Sequence, residues 1–294
     1  MVKLKKYISS FLRKSLNGLI RNKREVNDIS DVNIKDEYVV ISFTGGMGAQ
    51  ILSCGIYFDL FEKGFKVAAD LSYFDGNEME PYQSDNGLTH WHWQLYDFGI
   101  SKDFFSIDFG KKHVYVSDGL LKSELAFNAF LNPKVKIKFA DITFKNIQNE
   151  CLLEYGVNFS NPNYLCLHIR RGDYLNVASY LVPENYFLDI SSKFIGLVDT
   201  IVVFSDSPLS ADFTNEVKKG FVQSFLFENS RLSPFLTHSV MRHAKILVCS
   251  NSQFSFTAGI LNDNLVILPK IWFGKELESL NDSISKSSKF MILS

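Results

Sequence analysis

The stretch Tyr164-Leu-Cys-Leu-His-Ile-Arg-Arg-Gly-Asp-Tyr174 sets two arginines, a glycine and an aspartate directly after an apolar run. Arg170 and Arg171 together could form a permanently charged cradle for a diphosphate, since each guanidinium presents a planar fork of donors. Gly172 would let the backbone approach such an anion. Asp173 could steady an arginine or accept a proton from a hydroxyl. A salt-bridged turn after a strand uses the same residue types, and the types alone leave both readings open. Two further polar clusters follow apolar runs, Ser205-Asp206-Ser207 and Ser250-Asn251-Ser252-Gln253. Gly45-Gly46-Met47-Gly48-Ala49-Gln50 is a glycine turn between a strand and a helix. It lacks the G-x-G-x-x-G spacing of dinucleotide sites and the Gly-Lys-Ser/Thr of a P-loop.

A second group of residues suits a sugar. Tyr82, Asp85, His90, Trp91, His92, Trp93 and Tyr96 crowd one aperiodic segment. Aromatic faces stack on the C–H faces of sugar rings, and carboxylates bind their hydroxyls. A tryptophan-rich loop packed on the core is the competing reading. His90 and His92 have no carboxylate placed to complete a metal site, and no metal is expected. Cys54, Cys151, Cys166 and Cys249 share no metal or disulfide spacing, and three lie in apolar runs as small buried thiols do.

The elements that must position these groups alternate. Apolar, β-prone runs predict strands at Tyr38–Phe43, Lys66–Ala69, Val114–Val116, Tyr164–Ile169, Thr200–Phe204, Val222–Phe225, Lys245–Cys249 and, as the last, Leu265–Leu268. Helical patterns follow the glycine turn to Lys63 and cover Leu120–Leu131, Phe144–Tyr155, Pro183–Phe194, 210–219, Pro234–Ala244 and Phe254–Leu261. Alternating strands and helices define an α/β protein with mainly parallel sheets. Gly156–Asn163 reads as a boundary, dividing residues 38–157 from 158–294. In a doubly wound sheet the polar strand ends would line up along one edge, where ligands bind.

Composition excludes several classes. A net charge of −1 over 294 residues argues against a nucleic-acid protein. Abundant Phe (27) with scarce Pro (7) argues against long disordered tracts. No apolar run reaches the roughly 20 residues of a membrane span. Residues 1–24 hold eight Lys or Arg and no acid, with Leu4, Ile8, Phe11, Leu12, Leu16, Leu19 and Ile20 at helical spacing. Residues 1–37 therefore read as a basic amphipathic leader plus linker. The leader is expected either to dock on an anionic membrane surface or to pack on the domain. Docking implies a cytoplasmic protein, peripheral on the inner face of the membrane.

Five motifs carry a family resemblance. His168-Ile-Arg170-Arg171-Gly172-Asp173-Tyr174 resembles the H-x-R-R-G-D-Y signature of the α-1,2-fucosyltransferases, glycosyltransferase family 11. Gly45–Gln50 is similar to that family's G-G-L-G-N-Q, and Phe204-Ser205-Asp206 to its F-S-D. Met241–Phe256 resembles its M-x-x-C…S-N-S-S-F-S-W-W block, with Phe256-Thr257 in place of the tryptophan pair, and Pro269-Lys-Ile-Trp272-Phe its P-K-x-W-F. The motifs fall in order across Tyr38–Gly274. The resemblance implies a GT-B-like enzyme with two Rossmann-like lobes. Such an enzyme transfers fucose from GDP-fucose to a glycan hydroxyl with inversion, and needs neither metal nor cofactor.

It also implies roles. Arg170 and Arg171 would neutralise the pyrophosphate. His168 and Asp206 would hold guanosine, and Asn251, Ser252 and Gln253 would face the donor from a helix start. Gly45, Gly46 and Gly48 would bring the N-terminal lobe to the donor. Tyr82, Asp85, His90, Trp91 and Trp93 would bind a glycan acceptor, expected to be lipid-linked if the leader docks on a membrane. Asp173 is the first candidate for the base, unless it only partners an arginine, and Asp85 and His90 on the acceptor side are the reserve. The chain departs from the family at Ala49, Ser207, Thr237 and Thr257, which leaves open a related GDP-deoxysugar or a relative that binds without turnover. A phosphohydrolase fits less well, because no Arg-His-Gly nucleophile loop exists.

Overall fold

Val39, Val40 and Ile41 give β1 (Tyr38–Ser42) a fully buried centre, as a strand covered on both faces requires. A computed structural model describes residues 24–25, 29–33, 35–75, 82–83, 89–108, 112–116, 119–139, 149–150, 153, 156, 162–228, 233–272, 275–276, 284 and 287–293. β1 is the middle strand of a three-stranded parallel sheet, between β2 (Lys66–Asp70) and β5 (His113–Val116). β1 and β2 are joined by α1 (Met47–Glu62). The two-residue strands β3 (Tyr82–Gln83) and β4 (Thr89–His90) form a small antiparallel pair. After β5 come α2 (Gly119–Phe130) and the single turn α3 (Pro133–Lys136), which Asn132 caps by accepting the Lys134 N–H.

The second half builds a larger sheet from β6 (Tyr164–Ile169), β7 (Thr200–Ser205), β8 (Gln223–Glu228), β9 (Ile246–Val248) and β10 (Leu265–Pro269). The linking helices are α4 (Glu184–Ser192), α5 (Ala211–Gly220), α6 (Pro234–His243) and α7 (Gln253–Leu261). Beyond β10 lie the short hairpin β11 (Ile271–Trp272) and β12 (Lys275–Glu276), then β13 (Phe290–Leu293). The six parallel strands run in the order β13-β10-β9-β6-β7-β8. The chain moves out from β6 to β8 and then returns to β9 on the other side of β6. That reversal creates the crevice at the carboxyl strand ends where open α/β sheets bind ligands.

The α/β architecture with parallel sheets is the one the sequence predicts. Leu265–Leu268, however, is not the last strand: β13 adds in parallel beside β10. Phe290–Leu293 is as long as the predicted strand Leu265–Leu268, and its pairing with β10 is what marks it as one. The adjoining Lys289 donates to the carbonyls of Gly259, Ile260 and Asn262, satisfying the end of α7.

The two sheets share a core. α1 is buried around most of its surface because it lies against β1 and β2 on one side and α7 on the other. One apolar cluster runs from Val39 and Ile41 through Ile51 and Leu52 to Phe256 and Leu268. A second, around Ile169, Phe187, Val203 and Phe213, fills the opposite face of the larger sheet under α4 and α5. Residues 1–23 and 157–161, which carry most of the basic leader and the expected boundary, lie outside the described residues, as does most of Phe144–Tyr155. Arg24 and Glu25 run beside β5, the Arg24 carbonyl accepting the Tyr115 N–H at 2.9 Å. No helix among the described residues is long and apolar enough to cross a membrane.

Candidate active site

Side chains alternate along an extended strand, and this decides where the two arginines go. At the end of β6, His168 and Arg170 face a cavity of about 500 Å³. Ile169 joins the apolar cluster on the other face, and Arg171 follows it to that side. There Arg171 Nη1 is ion-paired with Glu184 Oε1. The expected double-arginine cradle is thus corrected to a single one. Arg170 faces the cleft, while Arg171 points behind the sheet into a separate hollow beside Pro183 and Leu209.

Asp206, at the end of β7, organises the turn. Its Oδ1 accepts the N–H groups of Arg171 (2.7 Å) and Gly172 (3.0 Å). Its Oδ2 lies 2.6 Å from Arg170 Nη1. A β-carbon on residue 172 would sit 2.6 Å from Asp206 Oδ2, so the anion that Gly172 admits is this carboxylate. Asp206 lines the cavity, but its charge is already committed to the turn. Asp173 sits in the one-turn helix that follows β6, and the adjoining Tyr174 ring lies against the Arg170 guanidinium, 5.3 Å from its centroid.

Two helix starts meet across the cavity. Gly45 adopts φ +75°, which turns the chain after β1 into α1. Gly45, Gly46 and Gly48 all line the cavity, opposite Ser252, Gln253 and Phe254 at the start of α7. A β-carbon at Gly48 would lie 2.5 Å from the Gln253 carbonyl carbon and 2.5 Å from the Phe254 nitrogen, so only glycine permits this approach. Neither helix has an acid in its first turn, so both positive dipole ends are uncompensated by their own helices. Ser252 caps α7, its Oγ accepting the Phe254 N–H at 3.3 Å. Asn251 instead turns away, donating to the Tyr180 carbonyl at 3.2 Å.

The glycine turn is held by two buried glutamines. Gln50 Nε2 donates to the carbonyls of Gly45 and His92, and Gln50 Oε1 accepts the Gln94 N–H. Gln94 Oε1 returns the favour by accepting the Met47 N–H at 2.6 Å. His168 is buried, with Nδ1 3.0 Å from Ser250 Oγ. Burial lowers its pKa to about 4; the Asp206 carboxylate opposes that shift and the Arg170 charge reinforces it. At neutral pH the imidazole is uncharged, so Arg170 is the side chain that supplies formal positive charge to this wall.

The expected acceptor residues scatter. Trp91 lines the cavity beside Gly46. Trp93 does not: it is 1% exposed, packs against Phe43, Phe74 and Phe105, and donates its indole N–H to the Ile100 carbonyl. Its expected sugar-binding role is corrected to a core role, since its ring fills the aromatic cluster of Phe43, Phe74 and Phe105. Tyr82 and His90 are paired across the β3–β4 ladder. Asp85 lies outside the described residues.

Gln94, Tyr174, Pro234, Thr237 and Phe254 also line the cavity, and none of them was expected from the sequence to bind donor or acceptor. Gln94 carries no local signal, because its partner is Gln50 in a distant element. Among the described residues no group of three His, Cys, Asp or Glu could hold a metal ion. Cys54, Cys166 and Cys249 are buried free thiols, and burial raises the pKa of each.

No family model matches the chain. The O-antigen biosynthesis glycosyltransferase WbnK of Escherichia coli is 30% identical to it over 141 residues, 44% of this chain and 45% of that protein. The match therefore spans less than half the length of that relative. Among solved structures, POFUT1 in complex with GDP-fucose is 10% identical, with 80% of this chain and 96% of that one covered at a TM-score of 0.41. The ADP-heptose LPS heptosyltransferase II of E. coli is 8% identical, with 87% and 90% covered at a TM-score of 0.44. Likenesses this distant do not bear on the donor.

Proposed function

We propose that this chain is a GT-B-like, inverting glycosyltransferase that moves fucose from GDP-fucose to a hydroxyl of a glycan acceptor. The acceptor is read as a galactoside and the product as an α-1,2-fucoside of a surface polysaccharide. The observation that carries the reading is the convergence of Arg170 with the starts of α1 and α7 on one cavity. A guanidinium and two positive helix ends form an anion site built from protein groups. The five ordered motifs and the similarity to WbnK favour a sugar nucleotide as that anion.

The chemistry follows from charge. Cleaving the bond between fucose C1 and the β-phosphate oxygen leaves negative charge on the departing GDP. Groups that hold this charge more tightly in the transition state lower the barrier. Arg170 is placed to do so, and its ion pair with Asp206 fixes the fork before the substrate arrives. The attacking hydroxyl must lose a proton. Asp206 is a poor base here, because Arg170 and two amides already hold its carboxylate. We propose Asp173 as the candidate for that role, against the alternative that it only steadies an arginine. Loss of rate with unchanged donor affinity in Asp173→Asn supports it; loss of donor binding rejects it.

Calorimetric titration with GDP-, UDP- and CMP-sugars, with no metal added, tests the donor. Binding of GDP-fucose, followed by GDP release once an acceptor is supplied, is expected. Preference for a UDP- or CMP-sugar rejects GDP-fucose. The acceptor is proposed to be lipid-linked, reached through the basic residues 1–24 lying on the inner face of the membrane. Deleting those residues should move the protein out of the membrane fraction, and an unchanged fraction rejects that part.

A further inference from the structure

Arg171 stands behind the sheet, yet it belongs to the same turn as Arg170. Its side chain is 24% exposed and that of its partner Glu184 14%, so this pair is largely removed from water. Arg171 Nε is buried without a hydrogen-bond partner among the described residues, which leaves Glu184 as its counter-ion. Glu184 is the first residue of α4. Its carboxylate also accepts the Ser210 N–H and the Ser210 hydroxyl. Ser210 in turn caps α5, its Oγ accepting the Phe213 N–H at 3.1 Å. One carboxylate thus ties the starts of two helices to the residue next to Arg170.

We propose that Glu184 is a positioning residue for the cleft arginine. It holds the Arg171 side chain from behind while Asp206 holds the Arg171 and Gly172 amides from the front. The turn is fixed between two carboxylates, and Arg170 has one orientation left, into the cavity. A half-buried guanidinium that loses its counter-ion must shift toward water, because an unpaired charge cannot stay desolvated. That shift would drag the Arg171 amide off Asp206 and loosen the Arg170–Asp206 pair. The link to phosphate binding rests on the donor site proposed above; the link to the turn does not.

The test compares Glu184→Gln and Glu184→Ala with the wild-type chain, each alone and combined with Arg170→Ala. Amide hydrogen exchange at Arg171 and Gly172, measured without ligand, should quicken by about tenfold or more in Glu184→Ala. Glu184→Gln keeps an acceptor for Ser210 but loses the charge, and should fall between. Unchanged exchange in either soluble variant overturns the proposal, whatever the protein binds. Affinity for GDP should drop by about tenfold in Glu184→Ala and by less than about twofold when residue 170 is already alanine. Equal losses in both backgrounds would show that Glu184 does not act through Arg170, and also overturn it. A wild-type chain that does not bind GDP refutes the donor reading alone, since the exchange result still decides the role of Glu184.

Discussion

Gly48 and Gln253 touch backbone to backbone, one at the start of α1 and the other at the start of α7. The contact joins the two sheets at the floor of the cavity and brings two positive helix ends to one place. Because α1 also shares its apolar core with α7, the approach is backed by packing along the whole helix.

Gly48→Ala should therefore act on both stability and binding. The added methyl group has 2.5 Å to backbone atoms that cannot rotate away. The helices must part, at a cost of about 1–3 kcal/mol. A lowered melting temperature and weakened GDP binding are expected together, by calorimetry on the same variant. Native values for both would show that the contact is slack.

Arg170→Ala should lower the transfer rate by about 10²-fold or more, equivalent to about 3 kcal/mol, because it removes the charge that meets the leaving group. Arg170→Lys should not restore it, since a point charge lacks the planar fork. From motif order alone either arginine could carry this loss. On the proposed function the loss falls directly on Arg170, while Arg171→Ala should act indirectly, through stability and the hold on the turn behind Arg170. Steady-state kinetics beside thermal melts separate the two.

The two tryptophans of the aromatic segment should part company. Trp93→Ala empties a buried site among Phe43, Phe74 and Phe105 and should cost about 3–5 kcal/mol of stability. Trp91→Ala should melt close to wild type and raise the KM for substrate, since Trp91 lines the cavity. Melting curves and kinetics on both variants decide this.

Acid should unfold the protein earlier than its carboxylates alone would predict. His168 has its pKa lowered to about 4 by burial, from an ordinary 6.5, so the unfolded chain takes up a proton in that window and the folded one does not. Stability is then complete above about pH 6.5 and falls as pH drops toward 4. His238, fully buried against Thr257, is shifted in the same direction, chiefly by burial. Melting temperature against pH should slope through this window, and the slope should flatten in His168→Gln. An equal slope in that variant would remove His168 as a cause.

Much of the fold was legible because burial writes itself into local patterns. The runs at Tyr164–Ile169 and Thr200–Phe204 announce central parallel strands, since both faces are covered. Ser252 announces a helix start because a hydroxyl there caps an amide. β13 was missed although its four apolar residues match Leu265–Leu268 in length; what makes them a strand is the edge that β10 offers. Gln94 was invisible for a similar reason: its partners, Gln50 and the Met47 amide, lie more than 40 residues away in sequence.

By itself the sequence determined that the chain alternates strands and helices, and that polar groups sit at the ends of β6, β7 and β9. Those features depend on neighbours within a few residues. Only the tertiary structure decided which of two adjacent arginines meets the cavity, which tryptophan is core, and whose charge Asp206 balances. Each depends on which face of an extended chain is covered and on what another element brings to it, and that is settled when the sheets close around α1.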